Sequence, residues 1–121
     1  MKTVNELVVS AKKEIVQIGI NEFTALVDSA ALIIDVREPG EFSTGSIRNA
    51  LNIPRGLLEF KINDRLASGT EATIGVFCRS GARAALAAQT LATMGYTDVR
   101  SLEGGLEAWI KDGGEIEVAR S

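Results

Sequence analysis

Two facts of composition narrow the chemistry open to this 121-residue chain: it carries one cysteine, Cys78, and no histidine. Without imidazole there is no Ser-His-Asp or Cys-His pair, no HExxH zinc site and no side chain that naturally exchanges protons near neutral pH. One thiol cannot close a disulfide within the chain, and the other available metal ligands are all oxygens, so neither a metal nor another cofactor is expected. Any chemistry must come from thiol, carboxylate, guanidinium or backbone. Cys78 opens the run Cys78-Arg79-Ser80-Gly81-Ala82-Arg83, in which a thiol is followed by a hydroxyl, two cations and a glycine.

The position of that run matters as much as its content. Cys78 ends the apolar, β-branched stretch TIGVFC, and the run leads straight into ARAALAAQTLATMG, an alanine-rich helical segment closed by Gly95. The first N–H groups of a helix have no intrahelical partner and carry the positive end of its dipole, so the sulfur should face a ready-made anion cradle. No acidic residue occurs between Glu71 and Asp98, whereas Arg79 and Arg83 both lie there. An acidic chain, with formal net charge -3, has thus made one loop locally positive. These features favour thiolate over thiol and turn a cysteine into a nucleophile. Packing alone would explain a cysteine at the end of an apolar strand. It does not explain the glycine, hydroxyl and two arginines that follow.

The elements that must position this loop follow from spacing. Thr3 and Glu6 have capping-box spacing ahead of an apolar stripe of Val4, Leu7, Val8, Ala11 and Ile15, which predicts an amphipathic helix packed on the domain, with the AKK segment on its solvated face. A short helix is expected from Asn21, a strand in ALIIDV ending at Asp35, a loop in REPGEFSTGS and a brief strand in ALNIP stopped by Pro54. GLLEFKINDRLAS carries helical spacing at Leu57, Leu58, Ile62 and Leu66. TIGVFC and DVRSL read as further strands, and GLEAWIKDGG as a last helix with Trp109 in the core; LEGG lacks the pattern of a phosphate loop and reads as the turn before it. Unalternating apolar strands interleaved with helices predict an α/β fold, a mostly parallel open sheet with helices on both faces. Such sheets bind ligands at the carboxyl ends of their strands, where Cys78 is expected to face a solvent-filled crevice.

Taken together and in order, IIDVREPGEF, GSIRNALNIP, VFCRSGARA and LEGGLEAW resemble the successive signatures of a rhodanese-like sulfurtransferase domain. The resemblance runs from about Ile18 to Trp109, implying an N-terminal helical extension at residues 1–17, a rhodanese-like domain at 18–121 and a sheet of about five strands. It further implies that Cys78 is catalytic, taking a sulfane sulfur from thiosulfate or a persulfide to become a cysteine persulfide and passing it to a thiol, cyanide or protein acceptor. Arg79, Ser80, Gly81, Ala82 and Arg83 would bind the substrate, and Asp35 and Arg37 would support the loop as a structural clamp. Two departures stand out. Ser46 occupies a place where the family usually has histidine, and Glu41 a place where two-domain thiosulfate-using relatives have arginine. A carboxylate facing the pocket would repel a dianion.

Two other classes compete. An oxyanion enzyme of the phosphatase or arsenate reductase type commonly uses Cys-x5-Arg, but here Ala84 is the sixth residue after Cys78 and Arg83 comes one place early. A noncatalytic interaction module is expected where the cysteine is missing, and here it is present. The partners expected are therefore a small anionic sulfur donor and a thiol or protein acceptor. Nucleic acid and membrane are not expected, given the net charge and the lack of any apolar run near the roughly 20 residues that span a bilayer. No long exposed apolar stripe is evident, so a monomer is expected, and the absence of a signal-peptide pattern makes the cytoplasm the expected compartment.

Overall fold

The computed structural model describes residues 1–65 and 69–118. Five strands, β1 (Val16–Ile18), β2 (Leu32–Asp35), β3 (Leu51–Asn52), β4 (Thr73–Phe77) and β5 (Asp98–Leu102), form one sheet in the order β1-β5-β4-β2-β3. Every pairing is parallel, with Asp35 level with Phe77 and Val76 level with Ser101. The strand that delivers the cysteine lies at the centre, and its carboxyl end adjoins that of the strand delivering Asp35.

Among the described residues six α-helices connect and cover the strands: α1 (Val4–Glu14), α2 (Ile20–Val27), α3 (Pro39–Phe42), α4 (Leu58–Lys61), α5 (Ala82–Thr93) and α6 (Gly105–Lys111). Alternate strand residues face opposite ways and build two cores. On one side Ile34, Val76 and Cys78 pack with Leu58 of α4 and with Ala84, Ala87, Ala88 and Leu91 of α5. On the other, Ile33, Phe77 and Leu102 meet Phe23, Leu26 and Val27 of α2 and Leu106 and Trp109 of α6. Burying both faces of the sheet is why its strands read as continuous apolar runs. The alanines of α5 also let α1 approach closely, with Val8 and Ala11 buried against Ala85.

Helix α1 has the expected cap: Thr3 Oγ1 accepts from the Glu6 amide at 3.1 Å while the Glu6 carboxylate accepts from the Thr3 amide. Its apolar stripe is only partly buried: Val8 and Ala11 are covered, while Val4 and Leu7 remain exposed. Other differences are local. The three-residue strand β1 is too short to show as a pattern, and α2 starts at Ile20 from Gly19 instead of from Asn21. The REPGEFSTGS loop contains the single turn α3, with Pro39 at its start. The helix expected in GLLEFKINDRLAS is broken into a 3-10 turn, α4 and a second 3-10 turn ending at Arg65; Leu66 lies outside the described residues. After α6 the chain doubles back. Trp109 Nε1 donates to the Glu115 carbonyl at 2.9 Å, and Ser46 and Glu117 exchange backbone hydrogen bonds, which ties the chain after α6 to the turn at Gly45.

Candidate active site

Cys78 follows β4 directly, and the next five residues wrap around its sulfur. The amide of Gly81 donates to Sγ at 3.1 Å and that of Ala84, in the first turn of α5, at 3.3 Å. This curl requires Gly81 at φ +113°, a backbone region that L side chains seldom enter. The first two carbonyls of the loop turn the other way, toward α6, where Leu106 N–H donates to the Cys78 oxygen at 2.8 Å and Glu107 N–H to the Arg79 oxygen at 3.0 Å. Two N–H groups thus point to the sulfur, while the first two carbonyls of the loop point to the start of α6. Gly105 makes that contact possible. A Cβ there would lie 2.6 Å from the Cys78 carbonyl oxygen, and its φ of +62° is itself left-handed.

Cys78 is 1% exposed, so it does not face an open crevice as the sequence led one to expect. The physical reason is the tightness of the loop, whose own amides close over the sulfur and bury Gly81 with it. Arg79 and Ser80 project outward and are exposed, while Ala82 and Arg83 are half-buried. Next to the loop is an open recess of about 490 Å³ bordered by Arg37, Glu41, Arg79, Leu106, Ile110 and Ile116.

Asp35 and Arg37 sit behind the loop as a buried pair. The carboxylate takes Arg37 Nη2 at 2.8 Å, Arg37 Nε at 3.1 Å, the Arg37 amide at 3.0 Å and Ser46 Oγ at 2.8 Å. Arg37 Nη2 also donates to the Gly45 carbonyl at 2.7 Å, and Asn52 Nδ2 bridges the carbonyls of Asp35 and Arg37 at 3.0 and 2.9 Å. Charges out of water persist only when compensated in this way. The network pins β2, the Gly45–Ser46 turn and β3 together.

The two loop cations also have carboxylate partners. Arg83 and Glu41 meet fork to fork, Nη1 to Oε1 at 2.6 Å and Nη2 to Oε2 at 3.0 Å. This hydrogen bonding is the main cause that holds the Glu41 carboxyl well below its usual 4.5, at about 2, helped by the backbone N–H of Glu38 and the nearby charges of Arg83 and Arg37. Arg83 is raised in turn, chiefly by Glu41 and further by the proximity of Cys78 and Asp35. Arg79 lies 3.4 Å from Glu107, with both side chains well exposed.

Every residue singled out in the sequence therefore gathers around one strand end, but with unequal engagement: Cys78, Gly81, Asp35 and Arg37 are inside, Ala82 and Arg83 half-covered, Arg79 and Ser80 outside. The contributions of Ser46 and Asn52, and of the glycine pair before α6, were not read from the sequence. The two adjacent glycines after a strand were the visible signal. Among the described residues no group of His, Cys, Asp and Glu could hold a metal ion, and no helix is long and apolar enough to cross a membrane.

A central-strand cysteine in a curled loop of amides, on a five-stranded parallel sheet, defines a class that comparison identifies directly. The family model for the Rhodanese-like domain matches residues 20–112, and the chain belongs to that family. It is 38% identical over 90 residues to YqhL of Bacillus subtilis, an uncharacterized protein, the match covering 74% of this chain and 67% of that one. A protein of Allochromatium vinosum named sulfurtransferase is 34% identical over 82 residues, covering 68% of this chain and 74% of its own. The chain spans between 65% and 74% of the length of the first curated relatives it matches. Among solved structures, a Rhodopseudomonas palustris protein of unknown function, described as a possible tyrosine phosphatase, superposes with a TM-score of 0.85 at 30% identity over 97% of this chain and 96% of its own. The relatives named as sulfurtransferases support a transferase of sulfur.

Proposed function

We propose that the chain is a sulfurtransferase that carries sulfane sulfur on Cys78. The carrying observation is the convergence of the Gly81 and Ala84 N–H groups on Sγ, in a loop whose first two carbonyls are turned away toward α6. Preorganised N–H donors stabilise negative charge where it resides during reaction. In the first step the Cys78 thiolate attacks the outer sulfur of the donor; the donor's sulfur–sulfur bond breaks and the leaving group departs with the electron pair, as sulfite from thiosulfate or as a thiolate from a persulfide. The terminal sulfur of the resulting persulfide is anionic, and the loop amides are the groups that would hold it. An acceptor thiolate or cyanide then attacks that sulfur and releases the Cys78 thiolate. No general base is required, since both nucleophiles act as anions. Asp35 and Arg37 position the loop from behind and touch neither sulfur.

A phosphatase-type reading is favoured by one observation, the description of the Rhodopseudomonas palustris relative. Against it stands the loop itself, with Ala84 in the sixth place after Cys78 and with Arg83 engaged by Glu41. Turnover separates the two. The sulfurtransferase reading expects thiocyanate from cyanide with thiosulfate or glutathione persulfide as donor, and no release of p-nitrophenol from p-nitrophenyl phosphate. Phosphate ester hydrolysis lost in Cys78→Ser, without thiocyanate formation, would reverse the assignment.

A further inference from the structure

Among the described residues, each arginine of the loop that would receive a sulfur donor has a carboxylate partner. Arg83, in the first turn of α5, has both of its terminal nitrogens bonded to the two oxygens of Glu41. Arg79 is turned outward beside Glu107. Arg37, the remaining guanidinium at the recess, is bonded to Asp35 and the Gly45 carbonyl. A dianion approaching the loop therefore meets three arginines, each with a carboxylate partner in place.

Resting on the sulfurtransferase reading, we infer that Glu41 is a specificity-determining residue: by holding Arg83 in a two-point ion pair it withdraws a loop cation from donor capture and turns the site against dianionic thiosulfate, in favour of a singly charged organic persulfide. Thiosulfate must bring two negative charges to a mouth whose cation is already neutralised, and it gains Arg83 only by displacing a carboxylate held at two points. A persulfide, R–S–S⁻, brings one charge and departs as R–S⁻ after Cys78 takes its outer sulfur. It needs no second cation. The carboxylate also anchors itself locally, since Glu41 Oε1 accepts from the Glu38 amide at 3.0 Å as the cap of α3. The selector is thus fixed in place by its own helix turn, independently of Arg83.

The test compares rates of sulfur uptake by intact mass, with thiosulfate and with cysteine persulfide, whose carboxylate and ammonium cancel to leave one net negative charge, as probes. Glu41→Gln keeps an acceptor for the Glu38 N–H but removes the charge. It is expected to raise the ratio of thiosulfate to cysteine persulfide rate constants by about tenfold, with a new fall in the thiosulfate rate as salt is added. Glu41→Gln combined with Arg83→Gln is expected to lose that gain. Wild type needs no variant to contribute: its thiosulfate rate should be the slower of the two and nearly insensitive to salt. A ratio unmoved by Glu41→Gln, or a gain that survives in the double variant, would overturn the role of Glu41 while leaving Cys78 as a sulfur carrier. Failure of every variant and of wild type to take sulfur from either probe would instead remove the sulfurtransferase reading and this inference with it.

Discussion

Two of the site's Asp/Glu–Arg pairs have the same chemistry in opposite surroundings. Asp35 and Arg37 have side chains 0% and 6% exposed and satisfy one another through several hydrogen bonds inside the fold; Glu41 and Arg83 are about one third exposed and stand at the mouth. Burial makes the first pair obligatory, because either partner left alone would be an uncompensated charge out of water. Exposure makes the second adjustable, since water can replace either partner at small cost. The inner pair therefore ties β2, the Gly45–Ser46 turn and β3 together, and a change of charge at the outer pair is expected to leave that framework in place.

The largest effect expected from breaking this contrast is at Asp35. Asp35→Ala strands the Arg37 guanidinium and should cost about 3–5 kcal/mol in urea unfolding, whereas Glu41→Ala should cost less than about 1 kcal/mol. Equal costs would erase the distinction. Next, Gly105→Ala sets a methyl against the Cys78 carbonyl in a left-handed backbone, and about 2–3 kcal/mol of stability should go with it. It should also slow sulfur uptake, because the carbonyls can no longer dock on α6 and the loop amides lose their aim. Ser46→Ala removes one donor from the Asp35 carboxylate and should cost about 1.5 kcal/mol, detectable as a lowered midpoint in the same denaturant series.

A smaller effect belongs to pH. The Glu41 carboxyl is depressed in the folded chain, so its pair contributes stability above the ordinary value of 4.5 and loses it as pH falls toward about 2. Stability profiles of wild type and Glu41→Gln should run parallel above about pH 5.5 and converge through that acid window. Profiles parallel all the way down would mean that the pair forms no stabilising contact. Smallest of all, Arg79→Ala should change stability by less than about 0.5 kcal/mol, given how exposed both Arg79 and Glu107 are.

The legible part of the sequence was the part written in local patterns. Burial on both faces gave β2 and β4 their unbroken apolar runs, and the end of the second run placed Cys78 before a helix. The three residues of β1 carry no such pattern, since their strand is defined by its partner β5. The helix expected in GLLEFKINDRLAS, residues 56–68, is broken over its described part because helical spacing also describes successive short turns whose apolar residues, Leu58 and Ile62, reach the same core. At the site, residue types were readable but pairings were not. Glu41 and Arg83 lie far apart along the chain, as do Ser46 and Asp35, and nothing local announces that they meet. The burial of Cys78 escaped for the same reason, being a property of how the loop curls once Gly81 takes its left-handed turn and α6 receives its carbonyls.

In the proposed function, the sulfur of Cys78, held by loop amides, is where sulfane sulfur is loaded. The most direct measurement is the intact mass of wild type and Cys78→Ser after incubation with glutathione persulfide. Serine preserves an acceptor for the Gly81 and Ala84 N–H groups, so the variant should fold, but its oxygen is a far weaker nucleophile. Wild type should gain the mass of one sulfur, lost again on adding cyanide, and Cys78→Ser should gain none. Equal sulfur on the folded variant, or none on wild type, would contradict the account.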